Sequence, residues 1–208
     1  MFLDFFSSEV IEFTKVYLAV FYSVVAAFYT FRVVSKQRKN GKPLVFSGKL
    51  FCKSWWNHIV FRFFRISIWM ICLLRLFYPN IDNYLGMLNI LELSPVIGLG
   101  LVLLTAGFLS TALIHCSLGK EWRSGIDPSG PSRVITNGAY QFSRNPMFVC
   151  IAIAQLGFFL AMPSVFSLVC LTIGLYTLNS QALEEEIHLS QKYPIEYAAY
   201  VAKVRRWV

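Results

Sequence analysis

The sequence predicts an all-α, polytopic membrane protein of one domain, with about five transmembrane helices. Of its 208 residues, 56% are hydrophobic and only 14% are charged, whereas soluble domains usually carry about a quarter charged residues. Five apolar stretches follow one another, each near the roughly 20 residues that a helix needs to cross a bilayer core. The net charge of +8 does not indicate nucleic-acid binding, because the basic residues cluster beside the apolar stretches, where they report membrane orientation.

Hydropathy and proline together set the limits of the predicted spans. Proline suits the first turn of a helix, because its missing N–H would be unpaired there anyway. Pro95 and Pro146 accordingly begin the third and fourth spans, and Pro79 ends the second. The fourth and fifth spans are separated only at Pro163, so these two should form a tight helical hairpin. The predicted spans cover residues 15–34, 59–78, 95–115, 146–162 and 164–182.

The charges of the connecting segments predict how the chain crosses the membrane. Residues 79–94 carry Asp82 and Glu92 and no basic residue. The first and third connections and the tail are basic, and basic loops stay in the cytoplasm. Five spans therefore place the N-terminus outside and the C-terminus in the cytoplasm, so that the polar stretches 116–146 and 183–208 share the cytoplasmic side. The basic residues are Arg32, Lys36, Arg38, Lys39, Lys42, Lys49 and Lys53 in the first loop, Lys120, Arg123, Arg133 and Arg144 in the third, and Lys192, Lys203, Arg205 and Arg206 in the tail.

Three arginines, Arg62, Arg65 and Arg75, fall within the second predicted span. A charge at the centre of a bilayer costs at least about 2.5–3.5 kcal/mol. We expect these long side chains to reach the interface at either end of the span; the alternative is that they face the bundle interior and contact a ligand. The five cysteines and three histidines show no spacing typical of metal ligands, so we predict reduced thiols and no metal.

Two polar stretches flank the predicted hairpin. The first, ITNGAYQFSRNPMF, covers residues 135–148, and the second, ALEEEIHLSQKYPIEYAAYVAKVRRWV, covers residues 182–208. The second has apolar and aromatic residues at helical spacing, which predicts a helix on the membrane surface or docked on the bundle. Its consecutive glutamates, Glu184, Glu185 and Glu186, are either a solvated helix start, where acids favour the helix dipole, or a carboxylate cluster that holds a cationic ligand.

Together with LGKEWRSGID, which precedes them, these stretches resemble the integral-membrane methyltransferases of the isoprenylcysteine carboxyl methyltransferase and phospholipid methyltransferase superfamily. The resemblance extends from Leu118 to Trp207. Its first part is a Gly-x-Tyr followed by Arg-Asn-Pro and an aromatic residue, and its second part is a Glu-Glu pair followed by leucine, tyrosines and a basic-aromatic end. The matching residues are Gly138, Tyr140, Arg144, Asn145, Pro146 and Phe148, and then Glu185, Glu186, Leu189, Tyr193, Tyr197, Tyr200, Arg206 and Trp207.

Length and hydropathy predict a single membrane domain over residues 1–208, with three N-terminal spans in residues 1–115, and the resemblance implies that residues 116–208 form a methyltransferase core. It implies S-adenosyl-L-methionine as the methyl donor, with S-adenosyl-L-homocysteine as the product, bound at the cytoplasmic face between the two polar stretches. Arg144 and Asn145 are the implied catalytic residues. The implied cofactor-binding residues are Gly138, Tyr140, Arg144, Asn145, Pro146, Met147, Phe148, Glu185 and Glu186.

Four positions depart from the family pattern. Asn145 stands where the carboxyl methyltransferases have histidine, which weakens the likeness to a true isoprenylcysteine enzyme. Phe148 replaces the usual tyrosine, Cys150 a common glycine, and Pro194 the glycine that follows the aromatic residue. None of these changes removes the arginine or the glutamate pair.

The chemistry of the donor fits these residue types. S-adenosylmethionine carries a sulfonium, an ammonium and a carboxylate. Glu185 or Glu186 can accept a hydrogen bond from the ammonium, and Arg144 or the N–H groups at a helix start can bind the carboxylate. Because the methyl group is already activated, the enzyme mainly has to align the reactants and exclude water. Positioning is therefore the mechanism that the sequence favours.

The methyl acceptor is expected to be lipophilic and to enter from the bilayer, either as an isoprenylcysteine-type carboxylate or as a phospholipid amine. A small thiol remains open as an acceptor. Two further classes also remain open. A sterol-reductase-like NADPH enzyme resembles this family in its C-terminal half, although such enzymes have longer chains with more spans. A non-catalytic membrane binding protein would keep the pocket without turnover.

Overall fold

A computed structural model describes the chain over residues 2–40, 44–119, 121–128 and 130–208, except for the side chains of residues 2–8, 36, 39 and 40. Lys42 and Lys120, counted above among the loop charges, lie outside the described residues, as do the side chains of Lys36 and Lys39.

Most of the described chain is helical, which confirms the all-α class. Two short strands, β1 (Val45–Phe46) and β2 (Ser124–Gly125), pair in parallel. Three short 3₁₀ helices cover Pro79–Ile81, Asn89–Leu91 and Gly138–Gln141. The α-helices are α1 (Phe2–Asn40), α2 (Lys53–Phe77), α3 (Asp82–Leu85), α4 (Ser94–Ser117), α5 (Pro146–Ala161), α6 (Val165–Lys192) and α7 (Pro194–Val201).

Within the described residues, three helices are long and apolar enough to cross a membrane. They are Glu9–Ser35 within α1, α4 and α6, and they contain the first, third and fifth predicted spans. The fourth predicted span forms α5, which has 16 residues and is shorter than a full crossing needs. The second lies in α2, which carries Arg62 and Arg65 in its middle. Crossing by α2 and α5, the membrane hairpin and the cytoplasmic side of α7 stay predictions.

Helix α6 continues well beyond the predicted end of the fifth span. It begins at Val165 and runs without a break through all three glutamates to Lys192. The interpretation of the glutamates as a helix start is therefore wrong, because they lie in the last third of a helix. Hydropathy detects where apolar side chains end, whereas a helix ends where its hydrogen bonds are interrupted. Here Pro194 begins the next helix, α7.

Helices α4 and α5 pack at backbone distance because glycines line their contact. A Cβ atom at Gly107 would lie 2.7 Å from the backbone nitrogen of Ala154. Cβ atoms at Gly100 and Gly157 would likewise overlap backbone atoms of the opposite helix. Small residues allow this close approach in membranes, where packing holds helices together. The contact fixes α5, and with it the polar stretch that leads into α5.

At the end of the bundle where the polar stretches lie, the N-terminal half contacts the C-terminal half. Strand β1 pairs with β2, with Val45 opposite Ser124. The buried Asn57 of α2 donates a hydrogen bond of 3.0 Å from Nδ2 to Ser180 Oγ of α6. These contacts, which the sequence did not predict, hold the connection 118–135 beside α6.

At the opposite end of the bundle, Arg75 is only 3% exposed. Its Nε and Nη2 donate to the two carboxylate oxygens of Asp82, at 2.6 and 3.1 Å. The expectation that Arg75 extends to the interface is therefore wrong. The chain turns back after α2, and α3 begins with Asp82, so a carboxylate meets the arginine before it reaches solvent.

Candidate functional site

A cavity of about 180 Å³ lies between the connection 118–135, the start of α5, the last turns of α6 and the helix α7. We call it the loop cavity. Most of the predicted site residues line it, and the lining brings the two polar stretches together although α5 and α6 separate them in sequence. Gly138 and Pro146 are not among the lining residues. The predicted residues that line it are Tyr140, Arg144, Asn145, Met147, Phe148, Glu185 and Glu186.

The two residues that do not line the cavity shape the chain around it. Gly138 has a φ of 62°, a conformation that glycine adopts without strain, and it begins the 3₁₀ helix that carries Tyr140. Pro146 is buried and begins α5, directly after Asn145 in a non-helical conformation. The turn at Gly138 and the helix start at Pro146 therefore fix the backbone that carries Tyr140 and Asn145, and both of these residues line the cavity.

The C-terminal tail holds this backbone in place. The N–H of Arg144 donates to the carbonyl of Arg205 at 2.9 Å. The hydroxyl of Ser143 donates to the carbonyl of Arg206 at 3.2 Å and accepts the N–H of Asn145 at 3.1 Å. The backbone of Arg205 and Arg206 is thus part of the site.

Glu186 is the centre of a charged network. Arg206 donates to it from Nε and Nη2 at 2.9 and 3.1 Å, and Arg144 donates from Nη1 at 3.1 Å. Asn145 adds a bond of 3.2 Å from Nδ2, which also donates to the carbonyl of Arg206. Both oxygens of Glu186 are therefore engaged, and its charge raises the pKa of Arg206 through their hydrogen bond. Glu186 organises the site and is not free to hold a ligand cation.

The neighbouring glutamates differ from Glu186 and from each other. Glu184 forms an ion pair of 3.4 Å with Lys53 and does not line the cavity. Glu185 does line it, and its hydrogen-bond partner is the amide of Gln181, which donates to Oε1 at 3.1 Å. Among the described residues, no arginine, lysine or histidine forms an ion pair with Glu185. This carboxylate is therefore the one available to a cationic ligand.

Arg144 carries the complementary feature. Its Nε is buried and has no hydrogen-bond partner in the described part of the chain. A buried donor without a partner is costly and indicates a ligand that accepts a hydrogen bond. Arg144, Arg206 and Glu186 together keep one positive charge in excess. Glu185 adds a carboxyl group without an ion-pair partner, and burial raises its pKa to about 7, so that a cation bound beside it would favour its charged form. The cavity thus suits a ligand that carries charges of both signs, as the amino-acid end of S-adenosylmethionine does.

Tyr140 and Tyr200 also line the cavity, close to these charged residues. The Tyr200 hydroxyl donates to the carbonyl of Tyr140 at 2.6 Å. Burial raises the pKa of Tyr200 to about 12. Burial, followed by the negative charge of Glu185, also raises the pKa of Tyr140. Both hydroxyls therefore stay protonated at physiological pH and can donate hydrogen bonds.

The connection 118–135 forms the outer wall and supplies residues that the sequence did not assign to the site. Trp122, Arg123 and Asp127 line the cavity, and the Asp127 carboxylate pairs with Arg123 Nε at 3.0 Å. The Tyr193 hydroxyl donates to the carbonyl of Pro131 at 2.6 Å and so ties this wall to the end of α6. The stretch LGKEWRSGID is part of the resemblance, and it was the sequence feature from which this wall could have been predicted.

A family comparison agrees with this geometry. Residues 95–196 match the model of a family described as phospholipid methyltransferase. Residues 95–196 are therefore a phospholipid methyltransferase domain, which is a member of the superfamily of membrane methyltransferases that the polar stretches resemble. The match includes α4, which the motifs left out, and it ends before Arg206. No curated protein and no solved structure matches the chain.

Proposed function

We propose that the protein uses S-adenosylmethionine to methylate a lipophilic acceptor at the loop cavity. The observation that carries the proposal is the charge left over in that cavity, namely the unpartnered Nε of Arg144 and the carboxylate of Glu185 without a cation. Both residues lie in the segment that matches a methyltransferase family. When bound, the donor supplies a methyl group activated by a positively charged sulfur.

The proposed roles follow from the contacts. Arg144 binds the carboxylate of the donor, and Glu185 accepts a hydrogen bond from its ammonium. Glu186 positions Arg144 and Asn145 without touching the donor. Because the amide nitrogen of Asn145 is already engaged with Glu186 and Arg206, its oxygen alone is left to accept a hydrogen bond from adenine or ribose. Catalysis then rests on alignment and on the exclusion of water.

The lining also favours this donor over NADPH. Four carboxylate residues line the loop cavity, against two arginines. A dinucleotide carries several phosphate charges, and both of these arginines already pair with carboxylates, Arg123 with Asp127 and Arg144 with Glu186. The carboxylates are Glu121, Asp127, Glu185 and Glu186, and the arginines are Arg123 and Arg144.

The acceptor is proposed to be a membrane lipid or lipid-modified molecule, and the loop cavity is proposed to face the cytoplasm. The basic first loop, third loop and tail support this orientation. A reporter enzyme fused after Val208 should be active only in the cytoplasm. Activity on the outer side would contradict the orientation and the cytoplasmic site together.

The direct test of the activity uses membranes from cells that produce the protein, incubated with methyl-labelled S-adenosylmethionine. We expect label in the lipid extract, and more of it than in membranes that lack the protein. Mild base releases label from a methyl ester but not from a methylated amine, so it separates the two acceptor classes. Binding of S-adenosylhomocysteine without any labelled product would instead identify a non-catalytic binding protein.

A further inference from the structure

The segment that leads into α2 carries a cluster of large apolar side chains at the end of the bundle where the loop cavity lies. Leu50, Phe51 and Trp56 are all exposed, Phe51 by 71%. The Phe51 ring lies 5.3 Å from the Trp55 ring, and the Trp55 ring lies 4.9 Å from the Trp56 ring. We call Leu50, Phe51, Trp55 and Trp56 the aromatic patch. Large apolar side chains that are held together at a surface indicate a place where a partner binds.

The backbone holds Phe51 in a strained conformation. Its φ of 65° lies in the left-handed region, and among the described residues Phe51 is the one residue other than glycine found there. An aromatic residue rarely adopts this conformation, whereas glycine adopts it without strain. The N–H of Cys52 donates to the carbonyl of Lys49 at 3.2 Å and closes the turn. An aromatic side chain that is strained and still exposed indicates a function for its ring.

Contacts between α2 and α6 show at which level of the bundle the aromatic patch lies. Lys53 Nζ lies 3.4 Å from Glu184 Oε1, and the amide of Asn57 donates to Ser180. Residues 180–184 are where the apolar part of α6 is followed by its glutamates. The two tryptophans of the patch lie between Lys53 and Asn57, and tryptophan rings favour the boundary between lipid headgroups and hydrocarbon. The patch is therefore at the level of the membrane surface.

The sequence around the aromatic patch is basic. No aspartate or glutamate occurs between Glu12 and Asp82, whereas Lys49 and Lys53 lie on either side of Phe51. A second copy of the chain is a poor partner, because a symmetric contact would set these lysines against each other. An anionic headgroup layer supplies the opposite charge, and each lysine near such a surface strengthens binding about fivefold.

We propose that the aromatic patch docks on a leaflet surface that carries anionic lipid, and that this docking holds the outer wall of the loop cavity in place. Lys49 and Lys53 pair with the headgroups, while the aromatic rings insert between them. The lipid composition of the leaflet then determines how well the wall is ordered. The inference concerns a surface that the proposed function does not use.

The connection from the patch to the wall is short, because only residues 47–49 separate β1 from the patch. The carbonyl of Leu44, which is buried, accepts the N–H of Ser124 at 2.9 Å. At the next residue of β2, a Cβ atom on Gly125 would overlap the carbonyl oxygen of Phe46. Gly125 itself lines the loop cavity. Strand β1 thus contacts the wall directly, so a patch that is fixed on the membrane also fixes the wall.

The test compares the purified full-length chain in nanodiscs of phosphatidylcholine with the same chain in nanodiscs that also contain phosphatidylglycerol. Hydrogen exchange is measured by mass spectrometry over residues 44–58 and 121–128. We expect exchange to be about fivefold slower or more in both segments when the anionic lipid is present. Residues 82–93, at the opposite end of the bundle, should exchange equally in the two kinds of disc.

Variants of two equally exposed phenylalanines make the matched comparison. Phe51→Ser should abolish the response to phosphatidylglycerol, whereas Phe77→Ser, at the other end of α2 and 73% exposed in the parent, should keep it. Phe51→Gly guards against an effect on folding, because glycine relieves the left-handed backbone. Its midpoint of thermal unfolding should be unchanged or higher, and its response should be lost as well. Lys49→Gln should weaken the response about fivefold.

Equal exchange of the parent in the two kinds of disc would overturn the proposal, and so would a response that Phe51→Gly retains. Slower exchange in residues 44–58 without any change in residues 121–128 would overturn the link between the patch and the loop cavity. None of these measurements uses S-adenosylmethionine or a methyl acceptor, so their outcome is independent of the proposed function.

Discussion

A second cavity of about 170 Å³ lies within the bundle between α1, α2, α4, α5 and α6, and we call it the helix cavity. The loop cavity and the helix cavity share α5 and α6, yet they are lined by different kinds of side chain. The loop cavity contains a hydrogen-bonded network around Glu186 and charges of both signs. The helix cavity is lined mainly by aromatic and aliphatic side chains, with Gln155 and Arg65 among its few polar residues. The difference shows that one continuous helix can carry charged side chains at its end and line an apolar cavity a few turns away. The proposed function requires this combination, because a water-soluble donor and a lipophilic acceptor have to meet on one pair of helices.

The largest effect is expected from removing the centre of the ionic network. Glu186→Gln leaves Arg144 and Arg206 without their carboxylate, and breaking a largely buried pair costs about 3–5 kcal/mol. Thermal unfolding in detergent should therefore show a lower midpoint, and S-adenosylhomocysteine binding should weaken. Glu196→Gln, on an exposed position of α7, is the matched control and should change neither. An unchanged midpoint for Glu186→Gln would mean that the network does not organise the loop cavity.

A smaller effect is expected where α5 is held for both cavities. Gly157→Leu forces a side chain against the α4 backbone near Leu104, which cannot move aside. Overpacking of this kind costs about 2–3 kcal/mol. The midpoint of thermal unfolding should fall, and both donor-product and lipid binding should weaken. Gly98→Leu lies in open space on α4 and should be tolerated; equal losses for the two would show that the contact is loose.

A smaller effect on stability is expected from the hydrogen bond between the N-terminal and C-terminal halves. Asn57→Ala removes the buried hydrogen bond to Ser180, which lies between the two cavities along α6. We expect a loss of about 1–2 kcal/mol, because Ser180 is left without this partner. Hydrogen exchange should then rise in the connection 118–135 before it rises in α5. Unchanged protection from hydrogen exchange in that connection would show that the contact with the N-terminal half does not hold the site in place.

The smallest effect is expected at Tyr200 and depends on pH. Its pKa is about 12 in the folded protein and 10 in its ordinary state. The folded protein therefore holds this proton more tightly, so the contribution is complete below pH 10 and is lost as the pH rises to 12. Tyr200→Phe should cost about 1 kcal/mol at neutral pH and should flatten the fall in stability between these values. Ultraviolet absorption of the phenolate follows the titration, and a midpoint near 10 would contradict a buried hydroxyl.

The sequence predicted the helices better than it predicted the contacts between them. All five apolar stretches lie in helices, because hydropathy over about 20 residues is a strong signal. The end of α6 was wrong by several turns, since charged residues can continue a helix that apolar residues began. Strands β1 and β2 have two residues each, which is too short for any periodic pattern to reveal.

The site was predicted as a set of residues and not as a network. The motifs predicted that Arg144 and the glutamate pair lie close together, and the hydrogen bond from Arg144 to Glu186 confirms this proximity. Their roles toward a ligand stay predictions. The different roles of Glu185 and Glu186 depend on Arg206, twenty residues beyond Glu186, and on the amide of Gln181. Ion pairs between distant residues form only once the chain has folded. The same reason explains why the ion pair between Arg75 and Asp82 was not predicted, since the sequence indicated Asp82 only as a charged residue in a loop.

The central claim is that the loop cavity binds S-adenosylmethionine, with Glu185 as the carboxylate left free for the donor. Calorimetry with S-adenosylhomocysteine on the purified parent and on Glu185→Gln tests it most directly. We expect the parent to bind, and Glu185→Gln to bind about tenfold or more weakly with an unchanged unfolding midpoint, because one charged hydrogen bond is lost and no structural ion pair is broken. Equal affinity for the two proteins, or no binding to the parent, would contradict the claim.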